Sequence, residues 1–134
     1  DIYPAGAIVQ NSKNGMVFYV QDGIKYPVPG GDIYKSQFGR KKPIKATPEE
    51  LDTYSWGSFV GFRDGELVQS KTGGAVYFIS NGFRLPIASA AAAKAYGFDK
   101  IMKNLIKTNA KSIEVHPLGP ALDVDTNMVS LASK

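Results

Sequence analysis

His116 is the only histidine in this 134-residue chain, so a serine–histidine–aspartate nucleophile system would depend on it entirely. It lies in the motif EVHPLG at residues 114–119, which parallels DTYSWG at residues 52–57 and DIYPAG at residues 1–6. His116 takes the position held by Tyr54 and Tyr3 in the other two copies. This context favours a packing or hydrogen-bonding role for its ring over a catalytic one.

Paired carboxylates are the other side chains that could catalyse a reaction, in this case glycoside hydrolysis. The acidic residues that could serve are Glu49, Glu50, Asp52, Asp64 and Glu66. Glu49 and Glu50 follow a Thr-Pro pair and are expected in the first turn of a helix, where acidic side chains favour the dipole. Asp64 precedes a glycine, as in a turn. We therefore expect no catalytic residue and no enzymatic activity.

The spacing of Asp123, Asp125 and Asn127 matches the first three ligands of an EF-hand calcium loop. Met128 stands where that loop needs glycine, and Lys134 stands where it needs a bidentate glutamate. The chain has no cysteine for a thiolate site, and its paired glycines lack the Lys-Ser/Thr of a phosphate-binding loop. The sequence thus predicts neither a metal nor a cofactor.

Basic side chains could bind an anionic partner. The chain has 16 basic and 12 acidic residues. The excess of basic residues lies entirely in residues 68–134, which hold eight basic and four acidic residues. A predicted helical stripe there contains Lys100, Lys103, Lys107 and Lys111. A second basic run contains Arg40, Lys41 and Lys42. Both features fit a solvated outer face, or a dock for an acidic wall polymer, a membrane surface or nucleic acid.

Two aromatic side chains, Trp56 and Tyr26, are candidates for stacking on a sugar ring. Other aromatic residues alternate along predicted hairpins, so most of them are expected in the core: Phe18, Tyr19, Tyr77 and Phe78.

An internal duplication supplies the elements that position these residues. Residues 6–37 align without a gap with residues 65–96, and eight of the aligned pairs are identical. In each copy β-rich segments flank a dipeptide typical of a type I′ hairpin turn, Asp22-Gly23 or Asn81-Gly82. Gly23 and Gly82 are therefore expected at positive φ.

Short helices are expected after each hairpin. Ser89 can cap a helix over residues 90–96 that Gly97 ends, and Asp32 and Gly39 bracket the equivalent helix. A second helix is expected after Thr47 in the first copy and over residues 100–107 in the second.

Each unit thus reads β-β-β-α-α, and the predicted fold class is α+β: two tandem units of three strands plus short helices, with antiparallel sheets. The expected boundaries are residues 1–62 for the first unit, 63–122 for the second and 123–134 for a C-terminal tail. No stretch approaches the roughly 18 apolar residues that span a bilayer.

The second copy carries the pattern GxLV, VYxIxxGxRxPI, YGF and PxGP at residues 65–68, 76–87, 96–98 and 117–120. This pattern resembles the duplicated repeat modules of extracellular bacterial cell-surface proteins, over roughly residues 3–122. The resemblance implies an extracellular or cell-surface location and an architectural role, with no known catalytic activity.

The leading hypothesis is a non-enzymatic extracellular or cell-surface module with a structural, adhesive or envelope-binding role. Its partner would be a cell-envelope polymer, another surface protein or a second copy of the chain. A second hypothesis is a glycan- or peptidoglycan-binding module of a larger secreted hydrolase. A third is a basic nucleic-acid-binding domain, and nucleic acid is the least favoured partner.

Overall fold

The computed structural model describes residues 1–124. Its two hairpin turns have the backbone geometry that two-residue connections require. The φ angles are 53° and 75° at Asp22 and Gly23, and 51° and 79° at Asn81 and Gly82. Two consecutive positive φ angles belong to the type I′ turn, whose twist matches that of the flanking strands.

The chain divides into two units, unit 1 over Asp1–Gly61 and unit 2 from Phe62 onward. Unit 1 contains β1 (Ala7–Asn11), β2 (Val17–Gln21), β3 (Ile24–Val28), α1 (Gly31–Phe38), β4 (Ile44–Ala46), α2 (Pro48–Leu51) and β5 (Ser55–Trp56). Its strands form one sheet in the order β4-β1-β2-β3-β5. The central strands β1, β2 and β3 pair in antiparallel fashion, whereas β4 and β5 pair in parallel with β1 and β3.

Unit 2 repeats this arrangement. It contains β6 (Leu67–Ser70), β7 (Gly73–Ser80), β8 (Phe83–Pro86), α3 (Ala90–Tyr96), β9 (Ile106–Thr108) and α4 (Ala110–Glu114). The sheet order is β8-β7-β6-β9, with β9 parallel to β6. At the place of β5, Leu118 forms a parallel bridge to Arg84.

The two units also share their strand register. Equivalent residues form equivalent pairs: Tyr19 with Tyr26 and Phe78 with Leu85 in the hairpins, and Val9 with Ile44 and Val68 with Ile106 at the parallel edges. Because a slip of one residue would turn every side chain to the opposite face, this agreement allows each position of unit 1 to be compared with its counterpart in unit 2.

The α+β fold class is confirmed, since both units combine a sheet with short helices. The parallel edge strands were not predicted. Residues 100–107 do not form the expected helix: they contain the 3₁₀ turns Phe98–Lys100 and Met102–Asn104 and the start of β9. Strand β9 pairs in parallel with β6. This pairing with a strand distant in the chain prevails over the helix that the spacing of the segment predicts. The second helix of unit 2 is α4 instead.

Side-chain caps mark the start of helices α2 and α3. Thr47 and Glu50 form a capping box at α2, in which Thr47 Oγ1 accepts the Glu50 N–H at 3.1 Å and Glu50 Oε1 accepts the Thr47 N–H at 2.8 Å. Ser89 caps α3 by accepting the Ala92 N–H at 3.0 Å. Helix α1 begins at Gly31, one residue before the expected Asp32. Helices α1 and α3 end at glycines with positive φ, Gly39 and Gly97 respectively.

Each unit has its own core. In unit 1, the buried residues that pack together are Val9, Phe18, Val20, Ala46, Leu51 and Tyr54. In unit 2, Leu67, Ala93 and Phe98 form one buried cluster, and Phe78 and Met102 pack against it. Within residues 1–124, no helix is both long and apolar enough to cross a membrane. The expected tail at 123–134, with its calcium-like spacing, lies outside the described residues from position 125 onward.

Candidate functional site

His116 is a structural ring that is bonded at both of its nitrogen atoms. The residue is 3% exposed, and its Nε2 accepts the backbone N–H of Phe62 at 2.9 Å. Nδ1 therefore carries the proton and donates to the Gly82 carbonyl at 2.7 Å. Burial lowers the pKa of His116 below its ordinary value, although the Gly82 bond and Asp64 act in the opposite direction. The neutral ring thus joins both ends of unit 2 to its hairpin turn.

In unit 1 the Tyr54 hydroxyl accepts the backbone N–H of Tyr3 at 3.0 Å, which corresponds to the bond that the Phe62 N–H donates to His116. His116 therefore replaces Tyr54. The expectation that His116 also corresponds to Tyr3 is wrong, because Tyr3 supplies the donor and thus corresponds to Phe62. The three copies of the short motif contain only two equivalent rings.

Two of the acidic candidates for catalysis, Asp64 and Glu50, accept hydrogen bonds from the backbone. Asp64 accepts the Gly82 N–H at 3.1 Å, and Asp1 accepts the Gly23 N–H at 3.0 Å in unit 1. Glu50 accepts hydrogen bonds from the Thr47 N–H and the Tyr3 hydroxyl, and these lower the pKa of its carboxyl. Glu49 lies beside Glu50 in the first turn of α2. Within residues 1–124, no group of three or more His, Cys, Asp or Glu side chains could hold a metal ion.

Trp56 covers a buried cation that the sequence did not reveal. Lys25 is 4% exposed, and its Nζ donates to the Leu51 carbonyl at 3.0 Å and lies 4.4 Å from the centre of the Trp56 ring. The indole is itself 63% exposed. In unit 2 Arg84 lies over the Tyr77 ring at the position of Lys25 over Phe18. The cation–aromatic contact is therefore part of the arrangement of strands, helices and contacts that the two units have in common, which we call the shared frame. Trp56 adds an exposed ring to this contact in unit 1.

The predicted basic stripe is spread over four elements. Lys100 and Lys103 lie on separate 3₁₀ turns, Lys107 on β9 and Lys111 on α4. All four side chains are exposed, as are those of Arg40, Lys41 and Lys42 in the connection from α1 to β4. The lysines of the stripe therefore do not share the face of one helix.

Tyr26 lines a pocket of about 490 Å³ on the face of the unit 1 sheet opposite Phe18 and Val20. We call it the tyrosine pocket; its lining residues are Tyr19, Gln21, Tyr26, Gln37, Phe38, Phe59, Val60 and Gly61. Every one of these residues is uncharged. Phe59, which is 61% exposed, also lines an adjoining depression of about 450 Å³ next to α1.

The aromatic walls of the tyrosine pocket are held in place by close packing. The rings of Tyr19 and Phe38 are nearly parallel, with centres 6.1 Å apart, and those of Tyr19 and Tyr26 are tilted at 6.2 Å. A β-carbon added to Gly57 would lie 2.6 Å from Tyr26 Cδ1, so the Tyr26 ring rests against the bare backbone of Gly57. This glycine is needed for close approach rather than for an unusual φ angle.

The tyrosine pocket is where the two units differ. The counterparts of Tyr19, Gln21 and Tyr26 in unit 2 are Phe78, Ser80 and Leu85. Phe78 packs on Phe98 at 4.7 Å, so this face of unit 2 belongs to the core. By contrast, the depression next to α1 recurs in unit 2 at equivalent positions, with a volume of about 300 Å³. The frame accepts apolar residues at the tyrosine positions, so folding does not require the hydroxyls and amides of unit 1.

Sequence reasoning identified Tyr26 but not its neighbours Tyr19, Gln37 and Phe59. The sequence predicts that most of the alternating aromatic residues of the hairpins lie in the core, without separating Tyr19 from Phe18. That alternation places Phe18 on the core face and therefore turns Tyr19 to the opposite face. A residue-by-residue comparison of the two copies was the available signal.

No protein-family model matches the chain, and no curated protein matches it. Among solved structures, it is similar to a chain in the periplasmic assembly from the ESX-5 inner membrane complex, with a TM-score of 0.35 and 16% identity over 92% of this chain and 43% of that one. A chain in the intact ESX-5 inner membrane complex gives a TM-score of 0.36 and 16% identity over 93% and 38%. This chain spans less than half the length of either.

Proposed function

We propose that the protein is a non-enzymatic, envelope-associated binding module whose duplicated frame presents a binding surface. One observation carries the proposal. The residues of unit 2 that could act as catalysts accept backbone N–H groups, and their counterparts in unit 1 make the same contacts. His116 and Tyr54 each accept a backbone N–H, and Asp64 and Asp1 each accept the N–H of a turn glycine. Groups committed to the backbone in this way serve the frame rather than a reaction.

The cell-envelope location rests on the repeat pattern of the second copy, which resembles modules of extracellular bacterial proteins. A surface polymer is the partner that suits a module of this kind. The exposed ring of Phe59, which lines the tyrosine pocket of unit 1, supplies apolar contact area that a purely architectural domain does not need.

Binding of a polyanion through the basic stripe is the weaker candidate. A polyanion groove needs cations aligned along one path, and Lys100, Lys103, Lys107 and Lys111 lie on separate elements. The frame already explains their positions as exposed residues of turns, an edge strand and a helix.

Co-sedimentation of the protein with purified peptidoglycan sacculi tests the proposal. We expect the protein to sediment with sacculi at physiological salt and to release no reducing sugar from them. Absence of sedimentation would refute envelope-polymer binding, and release of soluble sugar would refute the non-enzymatic assignment.

A variant with all four stripe lysines changed to glutamine is the matched control. Because these side chains are exposed, the variant should fold normally and should sediment as the parent does. Loss of sedimentation in the variant, together with steep salt dependence in the parent, would favour polyanion binding instead.

A further inference from the structure

The tyrosine pocket combines three features that recognise sugars. Aromatic rings offer flat apolar faces for the C–H side of a pyranose, and amide groups next to them can bond its hydroxyls. The lining contains no charged residue, which favours an uncharged ligand over a phosphate-bearing or acidic one.

Polar side chains at the tyrosine pocket retain donors and acceptors that could form hydrogen bonds with a ligand. The Tyr19 hydroxyl donates to Gln21 Oε1 at 2.7 Å, which orients the exposed amide and leaves its N–H groups without a partner among residues 1–124. Gln37 Nε2 donates to the Gly61 carbonyl at 2.8 Å, so the side chain is fixed while its Oε1 can accept a further bond. The Tyr26 hydroxyl has no hydrogen bond within the described part of the chain.

Rigidity lowers the entropic cost of binding at this pocket. Tyr26 rests against Gly57, Tyr19 is stacked with Phe38, and both glutamines are already oriented. A ligand would therefore order few side chains when it binds.

We propose that the tyrosine pocket binds a linear oligosaccharide of flat, equatorially substituted pyranose rings, with one ring on Tyr26 and the chain continuing past Phe59. This inference rests on the proposed function and specifies its ligand class. The shared position of Phe59 between the tyrosine pocket and the adjoining depression provides room for more than one ring. A single sugar should consequently bind more weakly than a tetrasaccharide.

The test is titration of the full chain with chitotetraose and with cellotetraose, followed by NMR chemical shifts of the backbone amides. We expect saturable shifts for at least one of the two probes, centred on β2 and β3 of unit 1. Absence of binding by both tetrasaccharides would overturn the inference. Shifts confined to unit 2 would overturn it as well.

Two variants introduce residues that unit 2 already carries at equivalent positions, so the frame should tolerate them. Tyr26→Leu should weaken tetrasaccharide binding by about tenfold or more, and Gln21→Ser by about fivefold, because each removes one contact to the sugar. Circular dichroism and the thermal midpoint establish that the variants are folded. Binding equal to that of the parent in a folded Tyr26→Leu variant would refute the site.

Trp56→Leu is the matched control, because Leu118 stands at the equivalent position of unit 2. It removes the other exposed ring and should leave tetrasaccharide binding unchanged. Binding that is lost in Trp56→Leu and retained in Tyr26→Leu would transfer the site to the indole. If neither tetrasaccharide binds while the parent protein still sediments with sacculi, the pocket inference fails and the proposed function stands.

Discussion

Acidification should destabilise unit 2 through His116, the only histidine of the chain. In the folded state Nε2 accepts the Phe62 N–H, and a protonated ring would place a second donor against that N–H. Arg84 also opposes the positive charge, whereas Asp64 and the Gly82 carbonyl favour it. Burial has the largest effect, so the pKa of His116 is lower in the folded protein than its ordinary value of 6.5.

The direction of the effect follows from proton linkage. Because the unfolded chain binds the proton more tightly, stability is complete above pH 6.5 and falls as the pH drops toward the folded-state pKa. Each pH unit within this window removes up to about 1.4 kcal/mol from the free energy of unfolding. For the total loss we expect roughly 1 to 3 kcal/mol, the cost of replacing one buried hydrogen bond by an unpaired donor.

Two measurements test this prediction. The ring protons of a single histidine are assigned without ambiguity, so NMR titration of the folded protein gives its pKa directly. Urea unfolding followed by circular dichroism between pH 7.5 and pH 5 gives the change in stability. Glu50 contributes only at lower pH, because its pKa is lowered from 4.5.

His116→Gln is the control, since an amide can accept one hydrogen bond and donate another without titrating in this range. The variant should be less stable than the parent at pH 7.5, and the difference should shrink as the pH falls. A folded-state pKa at or above 6.5 would contradict the reasoning, as would the same pH dependence in parent and variant.

Two further substitutions test the shared frame by urea unfolding. Gly82→Val should cost about 1 to 3 kcal/mol through backbone strain alone, because φ is +79° and no atom lies within 4 Å of the added β-carbon; an unchanged midpoint would mean that the turn tolerates the β-branched residue. Tyr54→Phe should cost about 1 to 3 kcal/mol because it leaves the Tyr3 N–H without its acceptor. Equal stability of that variant and the parent would show that solvent satisfies this donor.

The local features of the fold were open to prediction from the sequence. The Asn-Gly and Asp-Gly turns, the Thr47 and Ser89 caps and the glycine that ends α3 each depend on contacts within about four residues. The parallel strands β4 and β9 depend on pairing with strands far away along the chain, so the spacing of Lys100 to Lys107 pointed to a helix that does not form.

The candidate site shows the same division. Tyr26 could be chosen from its residue type, but the pocket around it requires α1 and the segment ending at Gly61 to meet β2 and β3. Gly57 appeared in the sequence as a motif residue, and its contact with Tyr26 explains why that position lacks a side chain.

By itself, the sequence determined that the protein is a duplicated α+β chain with two matching hairpins, because turns, caps and alternation are encoded in neighbouring residues. Only the tertiary structure decided that His116 and Tyr54 are equivalent anchors, that Lys25 is buried beneath Trp56, and that the tyrosines of unit 1 line a pocket. Each of these outcomes depends on which face of a strand is covered by residues distant in the chain. Local patterning distinguishes the two faces of a strand, whereas long-range packing determines which elements cover each face and where a pocket is left.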